Sequence, residues 1–182
     1  MEVGIHANVC DRTTAKVAEA LRKPFDELSK RLRGQYGGTM EHLFIDLELV
    51  ESHTRPDGRE RFPFRFQKRV SGHSRFGLPA IPDSFNVGHF TVRPHFQLLT
   101  SLSTEQVVPY VLSLIYASTS RLLEKQKKLG GFDAVLFRNK FLDACRSMGY
   151  EVSSNSSSNR SHLDALTDSG NNACCGFFIR CR

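Results

Sequence analysis

No apolar run in this 182-residue chain approaches the ~18–20 residues that a membrane-spanning helix needs, so no helical span is expected. A leader is missing too: Met1-Glu2-Val3-Gly4-Ile5-His6 is not a basic cluster followed by a long apolar core, and no secretory signal is expected. The common catalytic and cofactor signatures are absent as well. There is no Gly-x-Ser-x-Gly elbow, no Gly-rich phosphate loop ending in Lys-Ser/Thr and no Gly-x-Gly-x-x-Gly, so neither a nucleophile nor a cofactor is expected. Cys10, Cys145, Cys174, Cys175 and Cys181 include no Cys-x-x-Cys pair, and no metal is expected. Five scattered cysteines without a leader read as reduced thiols in a cytoplasmic protein. No repeat recurs at a 20–50 residue period.

What is present is an ordinary globular composition. Hydrophobic residues make up 40% and charged residues 24%, enough for one sizeable core. The formal net charge is +6, which admits nucleic acid, an acidic protein or an anionic membrane as partners without choosing among them.

The first element read from periodicity runs from Thr13 to Arg33. Val17, Leu21, Phe25, Leu28 and Leu32 line one helical face, Asp11 or Thr13 caps the start, and Pro24 predicts a kink or a new helix start. Period two follows from Glu41 to Glu51, with Leu43, Ile45, Leu47 and Leu49 on one face and His42, Asp46 and Glu48 on the other. Arg61 to Val70 alternates in the same way, setting Phe62, Phe64, Phe66 and Val70 against Arg61, Arg65 and Arg69. The turn signature Arg55-Pro56-Asp57-Gly58 between them predicts a β-hairpin, which would place Leu49 near Phe66 and Asp46 near Arg69. A third strand is expected from Phe85 to Arg93.

Ser103-Thr104-Glu105-Gln106 has the form of a capping box, with Leu102 and Val107 as a hydrophobic staple, and it opens the central helix of the core. Gly130-Gly131 stop that helix. A further helix starts near Asp133, buries Leu136, Phe137, Phe141, Ala144, Cys145 and Met148, and ends at Gly149. The expected fold is therefore α+β: an antiparallel sheet of three or four strands with one face covered by about three helices. Residues 1–152 form the globular domain. Residues 153–173 read as a flexible Ser/Asn-rich segment, and residues 174–182 as a short apolar piece able to form a strand that returns to the sheet.

The stretch Arg55 to Arg75 holds seven Lys or Arg against two acids, interleaved with Phe62, Phe64 and Phe66. A basic strand with aromatics suits RNA or single-stranded DNA, but alternation puts these phenylalanines opposite the arginines. In a hairpin, Asp46 and Glu48 would neutralise Arg65 and Arg69. His73 and Arg75 in the adjoining loop are candidate phosphate contacts.

His42, Asp46 and Glu48 share a strand face and carry the residue types of a metal-dependent hydrolase, yet ion pairing to Arg65 and Arg69 accounts for the acids without a metal. His89-Phe90-Thr91-Val92 resembles the His-apolar-Thr-apolar strand motif of two-histidine phosphoesterases, in which two such strands supply acid, base and phosphate-binding hydroxyls; a second copy is missing here. His89, Thr91, Arg93 and His95 would share one face if the strand persisted through Pro94. The candidate binding residues are thus Arg61, Arg65, Arg69, His73, Arg75, His89, Thr91 and Arg93. The expected function is a non-enzymatic protein-binding domain, in one version an inhibitor or immunity-type partner of another protein. RNA or single-stranded DNA binding through the basic strand face is the alternative, and a phosphoesterase or metal-dependent hydrolase the third.

Overall fold

The computed structural model describes residues 1–9, 14–50, 64–70, 86–124, 126, 130–154 and 177–181. Ten elements follow one another: β1 (Glu2–Val9), α1 (Ala15–Arg31), β2 (Met40–Leu49), β3 (Phe64–Val70), β4 (Asn86–Val92), α2 (Phe96–Ser101), α3 (Thr104–Glu124), α4 (Ala134–Ser147), β5 (Tyr150–Ser154) and β6 (Phe177–Cys181).

The main sheet has the order β1-β2-β4-β3. β1, β2 and β4 are mutually parallel, and β3 joins the outer edge of β4 antiparallel. The antiparallel sheet expected from the sequence is therefore wrong, although helices and strands do combine as in an α+β fold. The reason is one of neighbours. Period-two alternation tells which side chains share a face, but not which strand lies alongside. β4 sits between the two strands that would have formed the hairpin, and β3 pairs with β4 instead. The pairing matches like with like: Phe64 lies opposite Val92 and Phe66 opposite Phe90. A strand at residues 2–9 was also missed. Its apolar positions do alternate (Val3, Ile5), but Gly4, Ala7 and Asn8 dilute the β-signal.

The core lies on one side of the sheet. Val3 and Ile5 from β1, Leu43, Ile45, Leu47 and Leu49 from β2, and Phe90 and Val92 from β4 belong to the same buried cluster. Leu21, Phe25 and Leu28 of α1, Val111, Leu112 and Ile115 of α3, and Phe137 and Phe141 of α4 complete it. Gly88 is on this side of β4: a Cβ there would meet Met40 Sδ at 2.9 Å, so the methionine takes the space.

Beside β1, Ile5 N–H donates to Ser29 Oγ of α1 at 3.1 Å, and the Met1 ammonium donates to the Gly34 carbonyl at 2.6 Å.

The helices follow their sequence signals with local departures. α1 runs through Pro24 as one element, its N-cap being Thr14 without a side-chain hydrogen bond. At the start of α3, Gln106 Oε1 accepts from Ser103 N–H at 3.0 Å, the reciprocal half of a capping box, while Ser103 Oγ turns to Glu105. Asp133 caps α4 through Leu136 N–H at 2.8 Å. That geometry leaves Leu136 on the exposed side, and Leu142 takes a buried place instead. The short α2 was not foreseen. β5 and β6 form a separate two-stranded antiparallel ribbon, with β6 against α3, so the C-terminal strand does not return to the main sheet. Residues 155–176, which include most of the segment read as flexible, lie outside the described residues.

Candidate functional site

The second face of the main sheet carries most of the sequence-derived candidates. Alternation in β1 and β2 sets Glu2, Gly4, His6 and Asn8, with His42, Phe44, Asp46 and Glu48, opposite the core. β4 adds Val87, His89 and Thr91, and Arg93 follows directly. The register lines these up in rows across the strands. Gly4, Phe44, His89 and Gln67 form one row; His6, Asp46, Thr91 and Arg65 form the next. Glu2, His42, Val87 and Arg69 form the row on the other side.

Two side-chain contacts join β2 to β4 and to the residue that follows it. Asp46 Oδ2 lies 3.3 Å from His89 Nδ1, with the two side chains 15% and 19% exposed. A carboxylate can only accept, so this contact places the Nδ1 proton on His89 and leaves Nε2 as the acceptor of the neutral ring. Arg93 Nε donates to Glu48 Oε2 at 2.6 Å. His42 Nδ1 stands 3.6 Å from Glu2 Oε2.

Asp46 and Glu48 thus have partners on β4 and just after it. Strand neighbours are ~4.8 Å apart, and β4 intervenes, so Arg65 and Arg69 are two strand spacings from β2. Their cross-strand neighbours are Thr91 and Val87, neither of them acidic. This corrects the expected pairing of β2 with β3 in a hairpin.

Phe44 is the residue that sequence reasoning passed over. Leu43 and Ile45 on either side of it point into the core, which puts a phenylalanine among the polar residues. Its ring centroid is 5.2 Å from that of His89, 5.6 Å from His6 and 6.4 Å from His42, the last pair nearly parallel at 10°. The signal was available: strict alternation from Leu43 requires Phe44 to face away from the leucines. Gly4 makes room for this group, because a Cβ there would stand 2.8 Å from His6 Nε2 and 2.9 Å from Phe44 Cδ1.

Other candidates fare differently. Arg93 belongs to the face but is held by Glu48. β4 ends at Val92, and His95 is the N-cap of α2, off the strand face, with its N–H directed to Tyr110 Oη at 3.4 Å. Arg61, His73 and Arg75 lie outside the described residues. Among the described residues no three of His, Cys, Asp and Glu gather closely enough to hold a metal ion, so the β2 trio is not assembled as a metal site. No described helix is long and apolar enough to cross a membrane. Comparison with family models, with curated proteins and with solved structures finds no match.

Proposed function

We propose that this sheet face binds single-stranded nucleic acid. The observation that supports the reading is the strand order: with β4 between β2 and β3, Arg65 and Arg69 stand in register with Thr91 and Val87, on the sheet face that carries His6, Phe44 and His89. The reading as a protein-binding domain leaned on direct pairing of β2 with β3, which this order replaces.

A strand carrying arginines on the same sheet face as Phe44 and the three histidines around it joins two requirements on one surface. Cations meet phosphates, and aromatic faces receive bases. The alternation that set Phe62, Phe64 and Phe66 against this reading does not touch it, because the stacking ring comes from β2 and not from β3. The net charge of +6 acts in the same direction by drawing a polyanion to the surface.

The test is filter binding of a single-stranded oligonucleotide across a salt series. Affinity should fall as salt rises, with a log–log slope of about −0.7 for each phosphate neutralised. The double variant Arg65→Ala/Arg69→Ala should bind more weakly and with a slope shallower by about 0.7 for each arginine that contacts phosphate. Phe44→Ala should lose ~1–3 kcal/mol of binding, nearly independent of salt, as expected for a stacking contact. Undetectable or salt-insensitive binding would overturn the proposal, and preferential capture of polyglutamate would return the protein-binding reading in its place.

A further inference from the structure

Two features of this face go beyond what binding alone needs. His89 is an imidazole oriented by a carboxylate: Asp46 Oδ2 sits 3.3 Å from Nδ1, which directs the other ring nitrogen away as a proton acceptor. A nucleic-acid-binding surface has no use for an acceptor where phosphates arrive, since phosphate oxygens need donors. The second feature is His6. It lies two strands away across Phe44, exposed, with its Nε2 over Gly4 and its ring against that of Phe44. The two imidazoles flank the same phenylalanine at 5.2 and 5.6 Å, one tied to a carboxylate and the other not.

A base fixed by a carboxylate and a separate imidazole across a stacking ring suit acid–base cleavage of a phosphodiester. We infer that this face cleaves RNA by internal attack of the ribose 2′-hydroxyl, with His89 as general base, Asp46 as its positioning residue and His6 as general acid. The inference rests on the nucleic-acid reading above. His89 Nε2 takes the 2′-hydroxyl proton as the O2′–P bond forms. The P–O5′ bond breaks, and the departing O5′ takes a proton from protonated His6. The products are a 2′,3′-cyclic phosphate and a 5′-hydroxyl; solvent then restores the two proton states. No oxidant, metal or cofactor enters the balance. Thr91, next to Asp46 in its row, is placed by register where the charge of the non-bridging phosphate oxygens would develop. DNA lacks the attacking hydroxyl and should be bound without being cut.

The experiment uses the full chain with three probes: an RNA oligonucleotide, the same oligonucleotide with 2′-deoxyribose throughout, and a uridine 3′-phosphodiester whose leaving group is p-nitrophenolate. The RNA should be cut to a cyclic phosphate while the deoxy probe is bound uncut. His89→Gln should slow cleavage of RNA by ~100–10,000-fold, a loss far larger than the accompanying change in affinity for the deoxy probe. His6→Gln should slow RNA cleavage comparably, but leave the nitrophenyl ester almost unaffected, because that leaving group departs without a proton. Asp46→Asn should lower kcat with KM little changed. The nitrogen-15 NMR spectrum of the His89 ring should then lose the Nδ1–H tautomer, a change that a merely structural role would not produce. Binding of both oligonucleotides without cleavage of the RNA would overturn this inference and leave the binding proposal standing. Failure to bind the deoxy probe would overturn both. Cleavage that persists in His89→Gln would assign the activity elsewhere and sink the proposal.

Discussion

Gly4 shows what a single residue decides here. The absence of a Cβ lets the His6 ring and Phe44 occupy the space above β1, and Gly4→Ala would bring a methyl group to 2.8–2.9 Å from both. His6 is exposed and can swing aside; Phe44 is hemmed in by two further imidazoles and cannot easily do so. The variant should therefore cost about 1–3 kcal/mol of stability, as overpacking does, and weaken oligonucleotide binding as well. Urea denaturation and filter binding on the same sample would check it; a change in stability with binding untouched would dissociate Phe44 from the ligand.

A second effect at this scale concerns buried groups that must stay neutral. Burial pushes the Cys145 thiol from its ordinary 9.0 up to about 12 and the Tyr36 phenol from 10.0 up to about 12; Tyr110 moves in the same direction for the same reason. When folded these groups keep protons that the unfolded chain releases at lower pH. Their contribution is thus complete below about pH 9 and is lost as the pH rises toward 12. Urea midpoints should fall steadily over that interval, and Cys145→Ala should soften the fall. A flat profile from pH 9 to 12 would show that none of the three groups is shielded as its burial implies. At neutral pH the Cys145 thiol should also resist alkylation in the native state.

Among elements, the helices were the most legible part of the chain because their signals are local. Asp133, Gly149 and the Ser103–Gln106 box act within one turn, and the structure uses each of them. Asp133→Ala removes the acceptor for Leu136 N–H and should cost about 0.5–2 kcal/mol in urea denaturation, whereas Asp133→Asn, which keeps an acceptor, should cost little. Pro24 was less legible. It reads as a break, yet the turn it weakens is held by Leu21, Phe25 and Leu28, all of them buried, and packing overrides the lost hydrogen bond. Strand faces were also readable: Leu43, Ile45, Leu47 and Leu49 are buried as their alternation requires. Strand neighbours were not, since parallel pairing of β1, β2 and β4 joins residues some forty positions apart and leaves no mark on a local window.

At the scale of the whole molecule, that one unreadable feature reverses the functional reading. A hairpin of β2 with β3 would have joined acids to arginines and made the face electrically quiet. The observed order pairs Asp46 with His89 and Glu48 with Arg93, and sets β3 beside β4 at one edge of the sheet. His89 and Thr91 were within reach of the sequence because His-x-Thr on a strand places both on one face. Their partnership with Asp46 depends on β2 and β4 lying side by side, which only the fold reveals. Phe44 joins them by plain alternation, and its importance follows only once the rings around it are seen together.

The most direct measurement is a backbone NMR titration of the full chain with a single-stranded oligonucleotide, read residue by residue. The account predicts that shifts gather at alternate positions of the polar rows, at His6, Phe44, Arg65, His89 and Thr91, with the exposed surfaces of α1 and α4 unaffected. Shifts confined to the helices, or spread over the surface without preference for those rows, would contradict it.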